Sequence, residues 1–275
     1  MATRFEVVLN GDDPVRLRAI GEEALGEIER LDRQLSFYRS ESDIGWINAH
    51  AAREAIKVEP RLFRLLSLCR ELSLKTDGAF DITIAPLMRA WGFVGGKGRM
   101  ADPTEVEAAR RIVGMEHVRL DEETYTIRFD CEGMAIDLGA IGKGYAVEQA
   151  AGILRENGIM SGLIHGGTST AYAVGMQADG GPWKIGLAQP LSGHVDLQDN
   201  SLSISAVHGK SFIEDGVEFG HVLDPQTGKP IQGALAAGVI GPSPTICDAL
   251  STAMLIAGKQ ALNEFPEYCG IMGGS

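Results

Sequence analysis

The second half of the chain contains short, apolar segments typical of strands, which follow one another with only turns between them. They are GLIHGGTSTAYAVG, WKIGLAQP, SLSISAVHG and ALAAGVIGP, and each ends at Gly or Pro. Parallel neighbours in a sheet need a long crossover, so strands without intervening helices favour antiparallel or mixed sheets. The sequence therefore predicts an α+β fold, a single domain of residues 1–275 with two lobes, whose mixed or antiparallel sheets are flanked by helices.

Five helices are predicted from apolar periodicity and from residues that favour helix ends. The first begins at Asp13-Pro14, and the second ends before Asp77-Gly78. The other three lie in PTEVEAARRIV, GKGYAVEQAAGILRENG and TICDALSTAMLIAG. HVRLDEETYTIRFD is predicted to be a hairpin, FYRSESDIGWINAH a loop, and MAIDLG a strand that leads into a glycine-bearing turn.

Composition and charge narrow the classes of function. Hydrophobic residues make up 44% and charged residues 23% of the chain, which is typical of a globular protein. The net charge is -12, so the surface is expected to repel nucleic acid and anionic membranes. The four cysteines form no C-x-x-C pair, which argues against a zinc site and a disulfide framework, so reduced core thiols are expected. The N-terminus shows no export signal, so a cytoplasmic location is expected.

The segment DLGAIGKGYA, residues 137–146, combines a strand end, three glycines and Lys143 at a predicted helix start. Backbone amides at such a helix start attract anions, and glycines allow a phosphate to approach closely. The glycine spacing matches neither the Walker A nor the dinucleotide-binding pattern. A tight strand-to-helix connection with a solvated lysine is the alternative explanation.

The segment CDALSTA, residues 247–253, places Asp248 and Thr252 four residues apart in a predicted helix. Their side chains then share one face, and a carboxylate with a hydroxyl offers oxygen ligands of the kind that Mg²⁺ prefers. The alternative is that Asp248 complements the helix dipole and Thr252 bonds back to its own helix.

Three further segments carry weaker signals. Asp81 lies within the apolar run TDGAFDITIAPLMRAWGF, so its carboxylate is expected to be partly buried with a partner. Phe80, Trp91 and Phe93 of that run are expected in the core, the alternative being that they wall a flat ligand ring. Tyr38 in SFYRSESDIGWIN could stack on a heterocycle whose edge Asn48 contacts, or could be a packed aromatic in a plain loop. In GHVLDPQTGKP, His221 precedes a turn favoured by Asp224-Pro225, and taken alone it is more often structural than catalytic.

Together, six segments occur in the order and approximate spacing of one known family. They are SFYRSESDIGWIN, GAFDITIAPLMRAWGF, DLGAIGKGYA, HGGTSTAYAVG, HVLDPQTGKP and CDALSTAMLIAG. Over nearly its whole length the chain resembles the ApbE family, the FAD:protein FMN transferases. The resemblance implies Mg²⁺-dependent cleavage of the FAD pyrophosphate and attachment of FMN, by a phosphoester, to a Thr or Ser of a partner protein.

The resemblance also implies roles for particular residues. The residues implied to bind FAD are Tyr38, Ala79, Phe80, Asp81, Asp137, Lys143 and His221, with Tyr38 stacked on a ring of the nucleotide. The implied metal ligands are the Ala140 carbonyl and the side chains of Asp248 and Thr252. The implied catalytic residues are Asp248 and His221, the latter as a candidate base near the pyrophosphate. The implied partner is a flavoprotein acceptor, and membrane contact is expected only through it.

Two alternatives use the same scaffold. Some members of the family hydrolyse FAD to FMN and AMP, and a carrier could bind FAD without chemistry. The presence of Asp248, Thr252 and His221 favours an enzyme, because a carrier needs none of them. The chain also departs from the family pattern in SISAVHGKSF, where His208 and Lys210 flank Gly209, and at His165.

Overall fold

In the part of the chain that the structure describes, a six-stranded antiparallel sheet forms the centre of the fold. The structure, a computed structural model, describes residues 3–207, 209, 211–232 and 236–274. The strands are β1 (Phe5–Leu9), β2 (Ile56–Lys57), β3 (Val118–Asp121), β4 (Thr126–Phe129), β5 (Ser161–Gly166), β6 (Thr170–Gly175), β7 (Trp183–Gly186), β8 (His194–Leu197), β9 (Ser201–Ala206), β10 (Ser211–Glu214), β11 (Val217–Gly220), β12 (Ala236–Gly241) and β13 (Cys269–Gly273). The central sheet has the order β1-β5-β6-β9-β12-β13, and smaller sheets have the orders β2-β4-β3, β7-β8 and β10-β11.

The residues that the structure describes also form seven α-helices. They are α1 (Pro14–Leu35), α2 (Asp43–His50), α3 (Pro60–Lys75), α4 (Ala85–Ala90), α5 (Pro103–Arg110), α6 (Gly142–Glu156) and α7 (Pro244–Ala257), with 3₁₀ turns at Met115–His117 and Gly258–Leu262. Asp13 caps α1 by accepting hydrogen bonds from the backbone amides of Val15 and Arg16. The predicted α+β class and all five predicted helices are confirmed.

The two faces of the central sheet are covered differently. Helix α6 packs on β5 and β6, α7 packs on β9 and β12, and α1 packs on α6. The other face is covered by the β7–β8 hairpin, whose Trp183 and Leu197 pack with Ala171, Ala173 and Leu202 of the sheet. Both faces of β6, β9 and β12 are therefore buried.

Several local expectations were wrong. FYRSESDIGWINAH is not all loop, because Ser42 caps α2 by accepting from the Gly45 amide at 2.9 Å. MAIDLG forms no strand in the described chain; instead, the Asn48 side-chain amide makes two hydrogen bonds with the backbone of Ile136, at 2.9 and 2.8 Å. This contact supports a structural role for Asn48 rather than contact with a heterocycle.

The cysteines are free, but they are not all core thiols. Cys69 and Cys247 are buried, and burial raises the pKa of Cys247 to about 12. Cys269 is exposed on the edge strand β13. Among the helices in the part of the chain that the structure describes, none is both long and apolar enough to cross a membrane.

Candidate active site

Asp248 on α7 reaches across to the start of α6. Its Oδ2 accepts a hydrogen bond from the Gly144 amide at 2.9 Å, and its Oδ1 lies 3.3 Å from the Lys143 ammonium. The Asp248 residue is only 1% exposed, so these two contacts compensate a carboxylate that has left water. The lysine ammonium also lies 3.4 Å from the Gly139 carbonyl oxygen. The sequence-predicted residues Lys143 and Asp248 therefore belong to one site.

Gly144 permits this contact in two ways, because its amide donates the hydrogen bond and its lack of a side chain leaves room for α7. A Cβ at this position would collide with the Pro244 carbonyl and lie 2.7 Å from Asp248 Cβ. Lys143 can reach the same carboxylate because it is the second residue of α6. The alternative in which this lysine is merely solvated is therefore wrong.

Thr252 lies one helical turn beyond Asp248 and contacts strand β9. Its Oγ1 is 2.9 Å from Ser205 Oγ, which also lies 2.8 Å from Ser251 Oγ. Ser251 donates in turn to the Asp248 carbonyl at 2.8 Å. Thr252 thus bonds across to the sheet, and it remains partly accessible, whereas Ser251 is buried. Ser205 was missed from the sequence, although the hydroxyls at alternate positions of SLSISA were a signal for it.

Asp81 clamps two segments of the chain together. Its Oδ1 accepts from the Thr83 amide at 2.7 Å and from the Thr83 hydroxyl at 2.6 Å, and its Oδ2 accepts from the Met115 amide at 3.2 Å. Burial raises the pKa of Asp81, although these hydrogen bonds act in the opposite direction. The expectation of a partly buried carboxylate with partners is confirmed.

A chain of contacts connects Asp81 to the α6–α7 site, which consists of Lys143, Gly144, Asp248 and Thr252. The Asp137 amide donates to the Ile82 carbonyl at 2.7 Å, and Asp137 Oδ1 accepts from the Gly139 amide at 2.9 Å. The Gly139 carbonyl then faces Lys143. Ala140 is partly buried in the turn between Gly139 and α6. The structure therefore arranges Asp137, Ala140 and Lys143 along one turn at the start of α6.

The side chains of Ala79 and Phe80 are buried in the main core, with exposures of 5% and 1%. Any contact that these two residues make with a ligand must therefore come mainly from their backbone. The Phe80 amide is already held by the Thr76 hydroxyl at 3.1 Å. Trp91 and Phe93 are core residues too, as expected.

His221 immediately follows β11 and begins the predicted turn. Asp224 accepts from the Gln226 amide at 2.8 Å, and Gly228 has a φ of 69°, so the turn is confirmed. The turn docks on the Asp81 segment, since Gln226 Nε2 donates to the Asp77 carbonyl at 2.6 Å. A Cβ at Gly209 would lie 3.5 Å from His221 Cε1, so the chain after β9 runs past the imidazole. His208 and Lys210 lie outside the described residues.

Tyr38 lies between α1 and α2 and is 64% exposed. Its ring meets Phe37 edge-on at a centroid distance of 5.3 Å. An exposed phenol ring has a face with which a flat ligand ring can stack. His165, which departs from the family pattern, has a structural explanation, because its Nε2 lies 3.1 Å from Oε2 of its cross-strand neighbour Glu6.

The donors at the α6–α7 contact suit a hard cation. Asp248 supplies a carboxylate, Thr252 a hydroxyl, and the turn before α6 supplies carbonyls, all of which are oxygen ligands of the kind that Mg²⁺ prefers. Within residues 3–207, 209, 211–232 and 236–274, no group of three or more His, Cys, Asp or Glu side chains could hold a metal ion. Mg²⁺ is compatible with a single carboxylate, because it retains waters and binds phosphate oxygens.

The fold and the site define a class of protein. It is an α+β protein in which the glycine-rich N-terminus of one helix contacts a second helix that presents carboxylate and hydroxyl oxygens. The family model described as the ApbE family matches residues 1–271. The chain belongs to the ApbE family.

Curated relatives and solved structures agree with this assignment. The FAD:protein FMN transferase of Salmonella typhimurium is 27% identical over 96% of this chain and 78% of its own length. One from Klebsiella pneumoniae is 31% identical over 84% of this chain and 74% of its own length. The crystal structure of the ApbE protein from Thermotoga maritima superposes with a TM-score of 0.88 at 29% identity, over 99% of this chain and 92% of that one. The apo form of the Pseudomonas stutzeri flavinyl transferase ApbE gives 0.85 at 29% identity, with the same coverage.

Proposed function

We propose that this protein transfers FMN from FAD to the hydroxyl of a Thr or Ser in an acceptor flavoprotein and releases AMP, with Mg²⁺ at the α6–α7 site. The observation that carries the proposal is the contact of Asp248 with Lys143 and Gly144. This contact brings the N-terminus of α6, which attracts anions, against the face of α7 that carries Asp248 and Thr252. A diphosphate and a divalent cation need both features within one site. The function of the relatives supports the same reaction.

The proposed reaction replaces one phosphorus–oxygen bond by another. The acceptor hydroxyl oxygen attacks the phosphorus of the FMN half, and the bond from that phosphorus to the bridging oxygen breaks. AMP leaves with the bridging oxygen, and His221 takes the hydroxyl proton as general base. Hydrolysis to FMN and AMP is the same displacement with water in place of the acceptor.

The residues of the site divide this work. Tyr38 offers a ring for stacking, and Lys143 at the start of α6 offers a cation to the diphosphate. Asp248, Thr252 and the Ala140 carbonyl are the proposed ligands of Mg²⁺. When bound, Mg²⁺ would supply positive charge at the diphosphate oxygens. In the structure Lys143 neutralises Asp248, so we propose that this lysine turns toward phosphate oxygens when a divalent cation binds the carboxylate.

The test combines a cellular and a purified assay. Mass spectrometry of small flavoproteins is compared between cells that express this chain and cells that lack it, and the FMN mass increment on a Thr or Ser is sought. In the purified assay the protein is incubated with FAD and Mg²⁺, with and without an identified acceptor. Flavin that stays on the denatured acceptor supports transfer. Accumulation of free FMN and AMP with no covalent flavin would support hydrolysis, and intact FAD in both arms would support a carrier.

Replacement of His221 gives a sharper version of the test. His221→Ala should slow transfer by roughly 10²- to 10⁴-fold, which is the usual contribution of a general base. His194→Ala is the matched control, because His194 is exposed in β8, on the hairpin that covers the other face of the sheet. Equal rates for the two variants would remove His221 from the mechanism.

A further inference from the structure

Strand β9 presents a row of hydroxyls to helix α7. Ser201 Oγ donates to the Gly241 carbonyl at 2.8 Å and lies 3.1 Å from Cys247 Sγ. Ser203 Oγ lies 3.3 Å from Thr170 Oγ1. Ser205 contacts Ser251 and Thr252 of α7. The first two serines are completely buried, whereas Ser205 is partly accessible, so the row ends at the candidate metal site.

The direction of the hydrogen bonds at Ser205 follows from counting protons. Each hydroxyl has one proton to donate. Ser251 donates its proton to the Asp248 carbonyl, which can only accept. The bond between Ser205 and Ser251 must then be donated by Ser205. With that proton used, the bond between Ser205 and Thr252 must be donated by Thr252.

This direction gives Thr252 the property that a metal-ligating hydroxyl needs. Its proton points to Ser205, so its remaining lone pairs face away from the strand as acceptors only. A cation requires oxygen lone pairs and is repelled by a hydroxyl proton. Groups that hold a metal ligand in the correct orientation do not touch the metal, but their removal commonly weakens metal binding.

We propose that Ser205 is a positioning residue, which fixes the proton of Thr252 and so turns the Thr252 oxygen toward a divalent cation. The inference rests on the proposed Mg²⁺ site and deepens it. Ser205 acts through Thr252 and by itself binds neither cation nor substrate.

The test measures Mg²⁺ binding directly, by isothermal titration calorimetry of the whole protein, alone and with ADP as a diphosphate that carries no flavin. Ser205→Ala should weaken Mg²⁺ binding by about 10-fold or more, as removal of an outer-shell partner typically does. Ser203→Ala is the matched control, because it removes a hydroxyl from the same face of the same strand, one that hydrogen-bonds to Thr170 of β6 instead of to Thr252. It should leave Mg²⁺ affinity within about twofold of wild type. Ser205→Thr keeps the hydroxyl and should restore binding.

A double-mutant cycle separates positioning from general loosening of the structure. Thr252→Ala should weaken binding, and adding Ser205→Ala to it should then have little further effect, because both changes remove one ligand. Independent, additive losses would overturn the inference, and so would equal losses in Ser203→Ala and Ser205→Ala. If Ser205→Ala does not fold, Ser205→Cys provides the same comparison, since a thiol is a weaker acceptor of the Thr252 proton.

Failure of this inference is distinguishable from failure of the proposed function. If Asp248→Asn leaves Mg²⁺ binding unchanged, the proposed metal site itself is wrong. If Asp248→Asn abolishes binding while Ser205→Ala binds like wild type, only the role of Ser205 is wrong.

Discussion

At Gly144, helix α6 approaches helix α7 closely. The missing side chain of this glycine makes room for the Pro244 carbonyl and for Asp248, and its amide binds the Asp248 carboxylate. The nearby Gly142 has nothing within 4 Å of the place a Cβ would take. Two glycines of one motif therefore differ in what they contribute, and substitution can separate them.

We predict that Gly144→Ala destabilises the protein by about 1–3 kcal/mol, the usual cost of overpacking a tight contact, and that it also weakens Mg²⁺ binding. Gly142→Ala should be tolerated, since Ala is favoured over Gly inside helices by up to about 1 kcal/mol. Urea denaturation measures the first effect and calorimetry the second. Similar behaviour of the two variants would contradict the packing argument.

Asp81 predicts a pH dependence of stability. Because burial raises its pKa, the folded protein binds this proton more tightly than the unfolded chain. The Asp81 carboxyl therefore contributes fully to the free energy of unfolding below the ordinary Asp pKa of 3.8. This contribution is lost as the pH rises through the raised pKa of the folded protein. Glu116 contributes in the same direction, since its negative charge also raises the pKa of Asp81.

The expected outcome is that the free energy of unfolding of wild type, minus that of Asp81→Asn, decreases as the pH rises from about 4 towards neutrality. Denaturation curves at several pH values measure this difference, in which titrations common to both proteins cancel. Asp12→Asn, a change at an exposed residue, serves as the control. An increase of the difference over the same range would show that the hydrogen bonds from Thr83 and Met115 outweigh burial.

At the scale of single residues, sequence predicted the types of side chain but not their partners. Local patterns singled out Asp248, Thr252 and Lys143 but left a structural alternative for each, and the resemblance to the ApbE family implied their shared role. The 3.3 Å contact between Lys143 and Asp248 joins residues over a hundred positions apart, and local patterns contain no information about such distances.

At the scale of elements, α6 holds the beginning of α7 in place. Glu148 of α6 accepts hydrogen bonds from the Ser243 hydroxyl at 2.8 Å and from the amide and hydroxyl of Thr245. Ser243 is itself the cap of α7 and accepts from the Ile246 amide. A carboxylate at a helix start also complements the helix dipole. The position of Asp248, one turn further on, therefore depends on Glu148.

We predict that Glu148→Ala lowers the free energy of unfolding by about 1–2 kcal/mol, comparable to loss of a helix cap, and weakens Mg²⁺ binding by displacing α7. Glu156→Ala is the matched control, because Glu156 is an exposed carboxylate at the far end of the same helix. Denaturation and calorimetry on both variants check the prediction. Loss of stability with unchanged metal affinity would show that α7 keeps its position without this contact.

Strand β9 shows why the position of a strand was easier to predict than which of its faces are buried. Alternation in SLSISA correctly indicates a strand, and a half-exposed strand would direct Leu202 to the core and its serines to water. Here both faces are buried, so Leu202 packs under the β7–β8 hairpin and the serines meet α7. Burial of both faces depends on tertiary packing, which a two-residue period alone does not reveal.

At the scale of the whole molecule, the proposed site lies where two regions of the chain that are 104 positions apart, at Gly144 and at Asp248, meet. Helix α6 packs on β5 and β6, α7 packs on β9 and β12, and the two helices contact each other at Gly144. A cation bound by oxygens from both regions would link them in the folded state only. Its binding free energy must then add to the stability of the fold.

We therefore predict that Mg²⁺ raises the thermal unfolding midpoint of wild type, with a stabilisation of about 2.7 kcal/mol at a Mg²⁺ concentration 100-fold above its Kd, and that EDTA reverses the change. Asp248→Asn should show no such response, whatever its own midpoint, because the carboxylate ligand is gone. Asp196→Asn, an exposed change in β8, should respond like wild type. Scanning calorimetry with and without Mg²⁺ gives the shift for each protein, and an equal shift in Asp248→Asn would place the cation elsewhere.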